Sequence, residues 1–267
     1  RDRSPSRWLG DVYKRQPLMW AQKQVEIIPE LNWKGKYIFS EKEMREYWIK
    51  QRVEENTTLR KKFKNDPQGL KKAEKLLEYE TGRQFWKSNE ICMRHAEGIR
   101  SNTPVLAKLW YFWTNHFTIS DTQSLASFST GAYQREFIRA NMDKKFETMA
   151  IEATIAWPMM MHLDNKDNVG PKSISGRSEW RRKERKPATI NENHARELLE
   201  LHTVSPKAAY TQDDIIELAK IMTGWRPKWT KKKDHGHNVS FDTERHEPGK
   251  KTVFGKTYKR GKKSLEI

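Results

Sequence analysis

Apolar side chains recur at helical spacing along most of this chain, and polar start signals precede several of the runs. Ser40 and Glu43 are spaced as a capping box, in which the serine oxygen accepts from a backbone amide and the glutamate bonds back to the cap. Asp66 followed by Pro67 is a second start signal, because proline fits the first turn of a helix. The pattern therefore predicts a helix after each signal.

Two further helices are predicted before residue 120. The first spans residues 85–99, and the i,i+4 pair Glu90 and Arg94 is placed on its solvent-exposed side. The second begins at Pro104 and is apolar on almost every side, which is typical of a helix packed all round at the centre of a domain. Its large aromatic side chains are predicted to be core residues: Trp110, Tyr111, Phe112, Trp113 and Phe117.

The later parts of the chain continue the helical pattern. Residues 131–144 and 146–157 are predicted to form a helical pair, and Pro158 begins a short further turn. Residues 191–203 and 211–222 are predicted to form two more helices. The leucines expected inside the first of these two are Leu198, Leu199 and Leu201.

Two segments lack the helical period. Residues 164–187 contain glycine and proline without an apolar period, so a long, basic surface loop is predicted there. Residues 239–241 and 252–254 are predicted as short strands that flank a turn at 247–249. The expected fold class is therefore mainly α: a multi-helix globular bundle around a central aromatic-rich helix, with a small β-hairpin near the carboxyl end.

The composition indicates a folded chain, and the sequence divides it into three segments of different character. A chain of 267 residues with 35% hydrophobic residues can build a substantial core. Residues 1–16 resemble translated adaptor sequence, and they are excluded from fold reasoning as a non-native segment. Residues 17–225 are predicted to form one helical domain that carries the basic loop at 164–187. Residues 226–267 are predicted to be a truncated basic tail that contains the hairpin.

Charge and hydropathy exclude some classes of protein. The net charge of +17 raises the hypothesis of nucleic-acid binding through the basic loop and tail. Basic loops bind nucleic acid in a salt-sensitive way without sequence preference, and no known recognition motif accompanies them here. Nucleic-acid binding is therefore ranked lowest.

The mean hydropathy of −0.99 and the lack of a long apolar run exclude a transmembrane protein. The single cysteine, Cys92, excludes an internal disulfide framework and a cysteine-rich zinc module.

Six collinear runs carry a family resemblance. They are WYFWTNHFTIS, GAYQREFIRANMDKKF, MHLDNKDNVGPKS, NENHARELLELHT, YTQDDIIELAKIMTGWRP and HEPGKKTVFGK. In order and spacing they resemble the bacterial domain-of-unknown-function eighteen-hundred family. The resemblance covers residues 85 to 256.

The resemblance implies a largely helical and often exported protein with no settled biochemical activity. Family members are usually much longer, so the chain is expected to be a fragment with both termini incomplete. Export implies a periplasmic, cell-envelope or secreted location. The polar residues that match the family pattern are Asn115, His116, Tyr133, Arg135, Glu136, Asp164, Asn165, Asn193, Arg196, Glu197 and His202. His162 and His194 depart from the pattern, and they are not expected to belong to a shared site.

His116 and Asp164 are the first two candidates for chemistry. A half-buried imidazole at a helix end can carry protons or bind a metal, and the alternative is that His116 bonds the last free carbonyls of its own helix. Asp164 and Asn165 could bind a cation or orient a water, and the alternative is an ordinary Asx turn. For both, the structural alternative is ranked above the functional one.

A polar stripe on the helix at 191–203 supplies the other candidates. Asn193, Arg196, Glu197 and Glu200 follow i, i+3, i+4 and i+7 spacing, so they share one side of the helix. If this stripe faces the central helix, its charges must be paired, and a structural clamp onto Arg135 or Glu136 is ranked above catalysis. The histidines of this helix do not fit the spacing of an HExxH zinc site.

Three function classes remain after these observations. The favoured class is a binding or assembly protein at the cell envelope, with a protein as its partner. The alternative is a metal-dependent or acid/base enzyme with the candidate site residues His116, Asp164, Asn193, Arg196 and Glu197, which then must meet in one pocket. Non-specific nucleic-acid binding ranks third. The pattern identifies neither a cofactor nor a metal.

Overall fold

The computed structural model describes residues 5–31, 33, 38–49, 55–80, 83–120, 127–181, 188–227 and 239–258. Over these residues the chain is mainly helical with two small antiparallel strand pairs near the carboxyl end, which confirms the predicted fold class. The α-helices are α1 (Pro5–Glu26), α2 (Glu41–Ile49), α3 (Asn56–Lys62), α4 (Pro67–Glu80), α5 (Arg83–Arg100), α6 (Pro104–His116), α7 (Thr130–Tyr133), α8 (Phe146–Ile155), α9 (Trp157–His162), α10 (Ile174–Arg181), α11 (Asn193–Glu197) and α12 (Gln212–Met222). The strands are β1 (Trp225–Pro227), β2 (Val239–Phe241), β3 (Lys251–Val253) and β4 (Lys256–Tyr258).

Helix α1 includes residues 5–16, and the non-native origin of that segment stays a prediction. The division of the chain at residue 225 also stays a prediction. Among the helices described, none combines the length and the apolar character that a bilayer crossing requires.

The two predicted start signals do begin helices. At α2, the Glu43 amide donates to Ser40 Oγ at 3.2 Å, and the Ser40 amide donates to Glu43 Oε2 at 2.8 Å. At α4, the Gly69 amide donates to Asp66 Oδ1 at 2.8 Å. These bonds satisfy amide groups that a helix leaves unpaired in its first turn.

Helix α6 is buried on one side only, which corrects the expectation of a helix packed all round. Trp110 and Phe117 lie in the main core, and Trp110 Nε1 donates to the Gln134 carbonyl at 2.9 Å. Phe112 is 57% exposed and Leu109 is also exposed, so the prediction of Phe112 as a core residue was wrong. Helices α1 and α5 contact α6, and a stripe of α6 that includes Leu109 and Phe112 lies at the surface of the described chain.

Two helices continue into wider π-helical turns. Helix α7 runs into a π turn at Gln134–Ile138, here called the first π turn, and α11 runs into the second π turn at Leu198–Thr203. Because a π turn bonds i to i+5, the side chains after it rotate away from the 3.6-residue period. Leu201, within the second π turn, is exposed, so its predicted place inside the fold was wrong.

Residues 164–181 are not the long surface loop that the sequence predicts. They contain a 3₁₀ turn at Asn165–Asp167 and helix α10. Asn165 is buried, and its Nδ2 donates to the Trp225 carbonyl at 2.8 Å. The segment folds inward because such amide side chains satisfy carbonyls that the end of α12 leaves free. Residues 182–187 of the predicted loop, and residues 228–238 and 259–267 of the basic tail, lie outside the described residues.

The two predicted strands form, but they do not pair with each other. β2 pairs with β1, with Trp225 opposite Phe241, and β3 pairs with β4 around a turn at Phe254 and Gly255. The segment between β2 and β3 bonds to the helical part instead, since the Glu247 amide donates to Thr223 Oγ1 at 2.8 Å. That docking separates β2 from β3.

Replacement of Asn165 tests the inward folding of this segment. Asn165→Ala removes a buried amide that also donates to the Met222 carbonyl at 3.2 Å, and it leaves buried carbonyls without a donor. We expect the free energy of unfolding to fall by about 2–4 kcal/mol. Urea unfolding followed by tryptophan fluorescence measures this. The exposed Asn102→Ala is the control, and equal stability of the two variants would contradict the assignment.

Candidate functional site

An ion pair between Arg135 and Glu90 joins the first π turn to α5. Arg135 Nη2 lies 2.7 Å from Glu90 Oε1, and Arg135 Nε donates to Glu90 Oε2 at 3.1 Å. Arg135 Nη2 also donates to the Phe39 carbonyl at 2.7 Å. Glu90 is 4% exposed, so its predicted place on the solvent side of α5 was wrong. The carboxylate instead neutralises a guanidinium inside the fold.

The residues next to the Arg135–Glu90 pair leave space for the Glu90 side chain and add a further bond to α2. Gly131 packs against Glu90, and a Cβ at Gly131 would lie 2.4 Å from Glu90 Cγ. The next residue of the first π turn, Glu136, accepts from the Glu41 amide at 3.1 Å. Burial raises the pKa of the Glu136 carboxyl, while this backbone bond acts in the opposite direction. The start of α2, the middle of α5 and the first π turn are thus tied together.

The polar stripe of α11 does not form the predicted clamp onto the first π turn. Arg196 lies between Glu192 at 3.1 Å and Glu200 at 2.9 Å, one helical turn away on each side. Its Nη2 also donates to Gln212 Oε1 at 2.9 Å. The Arg196 side chain is 38% exposed and Glu197 is half-buried. The stripe therefore lies at the protein surface and links α11 to α12.

His116 connects α6 to the second π turn. Its Nε2 donates to the His202 carbonyl at 2.8 Å, and the two ring centroids lie 6.1 Å apart. The predicted bond to the last carbonyls of its own helix is replaced by a bond to a carbonyl of another helix. A π turn disturbs the regular bonding of backbone carbonyls, and His116 provides a donor for one of them.

Four histidines from separate elements form one cluster: His116, His162, His194 and His202. His194 is 1% exposed and His202 is 4% exposed. The Ser120 amide donates to the His162 ring at 3.3 Å. Within the described residues, neither ring nitrogen of His194 has a hydrogen-bond partner. We refer to these four residues as the histidine cluster.

The histidine cluster is uncharged where it is most buried. Burial, together with the positive charge that neighbouring histidines would carry, lowers the pKa of His194 to about 3 and that of His202 to about 4. Imidazoles with such values do not exchange protons near pH 7. Across the residues that the structure describes, no group of three or more His, Cys, Asp or Glu side chains is arranged to hold a metal ion.

Asp164 and Asn193 lie near each other at the start of α11. The Asp164 carboxylate is ion-paired with Lys166, so a lysine ammonium sits where a bound cation was considered. The Asp164 carbonyl accepts from Asn191 Nδ2 at 3.2 Å, and Asn193 Nδ2 donates to the Leu163 carbonyl at 3.4 Å. These contacts join the 3₁₀ turn after α9 to α11.

The five candidate site residues thus fall into three groups and do not meet in one pocket. His116 contacts the second π turn, Asp164 and Asn193 join two backbone segments, and Arg196 and Glu197 lie on the outer side of α11. An apolar cavity of about 350 Å³ and a polar cavity of about 340 Å³ are open at the surface of the described residues. None of the five residues lines either cavity.

Sequence reasoning missed Glu90 and His194 as buried polar groups. His194 follows the helical spacing of Ala195, Leu199 and His202, which are all buried, and this spacing is a signal that places it inside. Glu90 has no comparable signal, because its partner Arg135 lies on another helix.

The comparisons with known proteins identify the family. A family model described as "Protein of unknown function (DUF1800)" matches residues 23–266. The chain belongs to the DUF1800 family. This confirms the resemblance carried by the six runs, and the match includes both the Arg135–Glu90 pair and the histidine cluster. For this DUF1800 chain, comparison with curated proteins and with solved structures gives no match.

Loss of one partner of the buried ion pair should destabilise the fold. Glu90→Gln removes the carboxylate closest to the Arg135 guanidinium and leaves the Glu136 carboxylate, 3.9 Å from Arg135 Nη1, as a more distant partner. We therefore expect the free energy of unfolding to fall by about 3 kcal/mol, at the lower end of the range for a broken buried pair. Glu74→Gln is the control, because Glu74 forms a surface pair with Arg60 at 3.7 Å. Urea unfolding compares the two variants. A loss below about 1 kcal/mol for Glu90→Gln would show that the pair does not hold these elements together.

The histidine cluster predicts a pH-dependent stability. The folded-state pKa values of His194 and His202 lie below the value of about 6.5 for an unfolded imidazole, so the unfolded chain binds more protons between pH 6.5 and 4. Stability is fully present above about pH 6.5 and falls as the pH decreases, by up to about 1.4 kcal/mol per pH unit for each imidazole. Unfolding midpoints in urea from pH 7 to pH 4.5 measure this slope.

A His194→Asn variant isolates the contribution of the buried ring. Its stability should change less steeply with pH than that of the parent chain, whereas His95→Asn, at an exposed position of α5, should keep the parent slope. Identical slopes for all three proteins would rule out His194 as a source of the pH dependence.

Proposed function

We propose that this DUF1800 chain has a binding or assembly role at the cell envelope, in which an apolar segment of a protein partner occupies its apolar groove. The groove is the cavity of about 350 Å³ between α8, the second π turn, α12 and the β3–β4 hairpin. Its size and its apolar lining are those of a binding site. The envelope location follows from the frequent export of the family and is part of the proposal.

Helix α8 explains why the groove exists. Its sequence, FETMAIEATI, is apolar on both sides, a pattern typical of a helix enclosed all round. Met149 and Ala153 pack into the main core on one side. Ile151 and Ile155 on the other side line the groove and are only half-buried. An apolar partner would cover the side that this chain leaves open.

Two phenylalanines line the groove and are partly exposed. Phe146 is 41% exposed and Phe254 is 47% exposed, and exposed aromatic side chains are enriched in the centres of protein interfaces. Phe254 has a left-handed backbone with φ 49°, which is strained for a bulky residue. Its amide donates to Asp214 Oδ1 at 2.7 Å, and this bond holds the turn in place.

One buried hydroxyl in the groove supports a peptide as the occupant. Thr154 is buried, lines the groove, and its Oγ1 has no hydrogen-bond partner within the described residues. Such a group costs free energy until it is bonded. The backbone of a peptide carries both donors and acceptors alongside apolar side chains, so it can bond Thr154 and fill the groove at once.

The positions of the candidate catalytic residues support binding over catalysis. Asp164 is paired with Lys166, and Arg196 is paired with Glu192 and Glu200, one turn away on each side. An acid/base enzyme needs such groups to converge on one substrate pocket, and these contacts keep them apart.

Binding of the dye 1-anilinonaphthalene-8-sulfonate to the folded chain tests the groove. We expect one saturable site that Ile151→Glu weakens at least tenfold, because a carboxylate in the groove opposes an apolar occupant. Ile99→Glu is the matched control, since Ile99 is exposed at the end of α5. Absence of saturable binding, or equal weakening by both variants, would contradict a functional groove.

Metal content separates the enzyme alternative from the proposal. The chain is purified without added metal and compared with His116→Ala and Glu197→Ala by elemental analysis. We expect no stoichiometric metal in any of the three. A stoichiometric metal that either variant loses would favour the metal-dependent enzyme and overturn the binding role.

A further inference from the structure

The polar cavity of about 340 Å³ lies between α5, the end of α6 with the residues that follow it, and the α7 segment. Its volume lies within the usual range for small-molecule sites. Lys87, Ile91 and Arg94 reach it from α5 at i, i+4 and i+7, so they share one face of the helix. The lining of this cavity is mainly polar, with several charged side chains and amides, whereas that of the groove is mainly apolar.

Arg94 is the residue that points to a ligand. Its Nη1 donates to Gln134 Oε1, and its guanidinium lies 5.2 Å from the centre of the Tyr111 ring. Its Nε is buried and has no acceptor within the described part of the chain. A buried guanidinium N–H without an acceptor is costly, and guanidinium pairs best with a carboxylate or phosphate that accepts two hydrogen bonds.

The charge of the cavity favours an anion. Glu90 also lines the cavity, but its carboxylate is already neutralised by Arg135 at 2.7 Å. Burial lowers the pKa of Arg94, but a guanidinium is basic enough to keep its charge at neutral pH. Lys87 adds a second positive side chain to the lining.

The remaining lining suits a ligand that carries hydroxyl groups. Asn115 and Thr118 contribute an amide and a hydroxyl from the end of α6 and the turn after it, and both residues are exposed. Ile91 and Ile119 contribute apolar side chains to the same cavity. A small ring or chain with hydroxyl groups can form hydrogen bonds with Asn115 and Thr118 and pack against Ile91 and Ile119.

We propose that this cavity binds a small hydroxylated anion, whose carboxylate or phosphate group pairs with Arg94 and whose hydroxyl groups bond to Asn115 and Thr118. The proposal does not depend on the apolar groove, because the two cavities share no residue. Its ligand class is that of sugar acids and sugar phosphates, which share an anionic head and a polyhydroxyl body.

Isothermal titration calorimetry on the full chain tests the proposal. The probes are glucuronate, glucose 6-phosphate, neutral glucose and sodium sulfate. We expect saturable binding of glucuronate or glucose 6-phosphate, and at least tenfold weaker binding of glucose and of sulfate. The tighter of the two sugar anions identifies the preferred head group.

Three variants assign the binding to this cavity. Arg94→Gln should weaken the anion at least tenfold, and Asn115→Ala should weaken it severalfold. Arg100→Gln is the matched control, because Arg100 lies at the exposed end of the same helix and its loss changes the net charge equally. It should leave binding unchanged. Should Arg94→Gln fail to fold, as thermal unfolding shows, the exposed Asn115→Ala decides.

Three results would overturn the proposal. They are no saturable binding of either sugar anion, equal binding of neutral glucose, and equal weakening by Arg100→Gln, which would indicate general attraction to a basic chain.

Discussion

Charge neutralisation between Arg135 and Glu90 is the constraint on which the arrangement of the helices depends. A charged side chain as deeply buried as Glu90 needs its counter-charge inside the fold, and its pairing with Arg135 holds the first π turn against α5. The same guanidinium bonds the Phe39 carbonyl, just before α2. One buried pair therefore sets the relation of three segments that are far apart in the chain.

The two π turns connect the buried core to the two surface cavities. The first π turn presents Arg135 and Glu136 to their partners, and its first residue, Gln134, holds Arg94 at the polar cavity. The second π turn receives His116 and also lines the apolar groove. Each π turn thus has one side bonded into the fold and one side at a cavity. Each π turn therefore contributes both to the stability of the fold and to the wall of one proposed binding site.

The histidine cluster and the cavities differ in character. The buried imidazoles are neutral and stabilise the fold only as long as they stay neutral, so they resemble core residues more than catalytic ones. Within the described residues both the cluster and the cavities contain buried groups without a hydrogen-bond partner, but at the cavities these groups, the Thr154 hydroxyl and the Arg94 Nε, belong to residues that line an opening. Unsatisfied groups at open cavities mark places where a ligand gains free energy.

The sequence by itself determined the features that depend on neighbours in the chain. Local hydrogen bonds and 3.6-residue spacing suffice to place the capping box at Ser40 and the start at Asp66, and six collinear runs suffice to place the family. Only the tertiary structure decided the partner of Arg135, the burial of His194, the inward course of Asn165 and the pairing of β2 with β1. Each of these depends on a residue that is distant in sequence. The sequence pattern shows how residues are spaced within one helix or strand. Which side chains are buried, and which residues pair, depends on which helices and strands pack together.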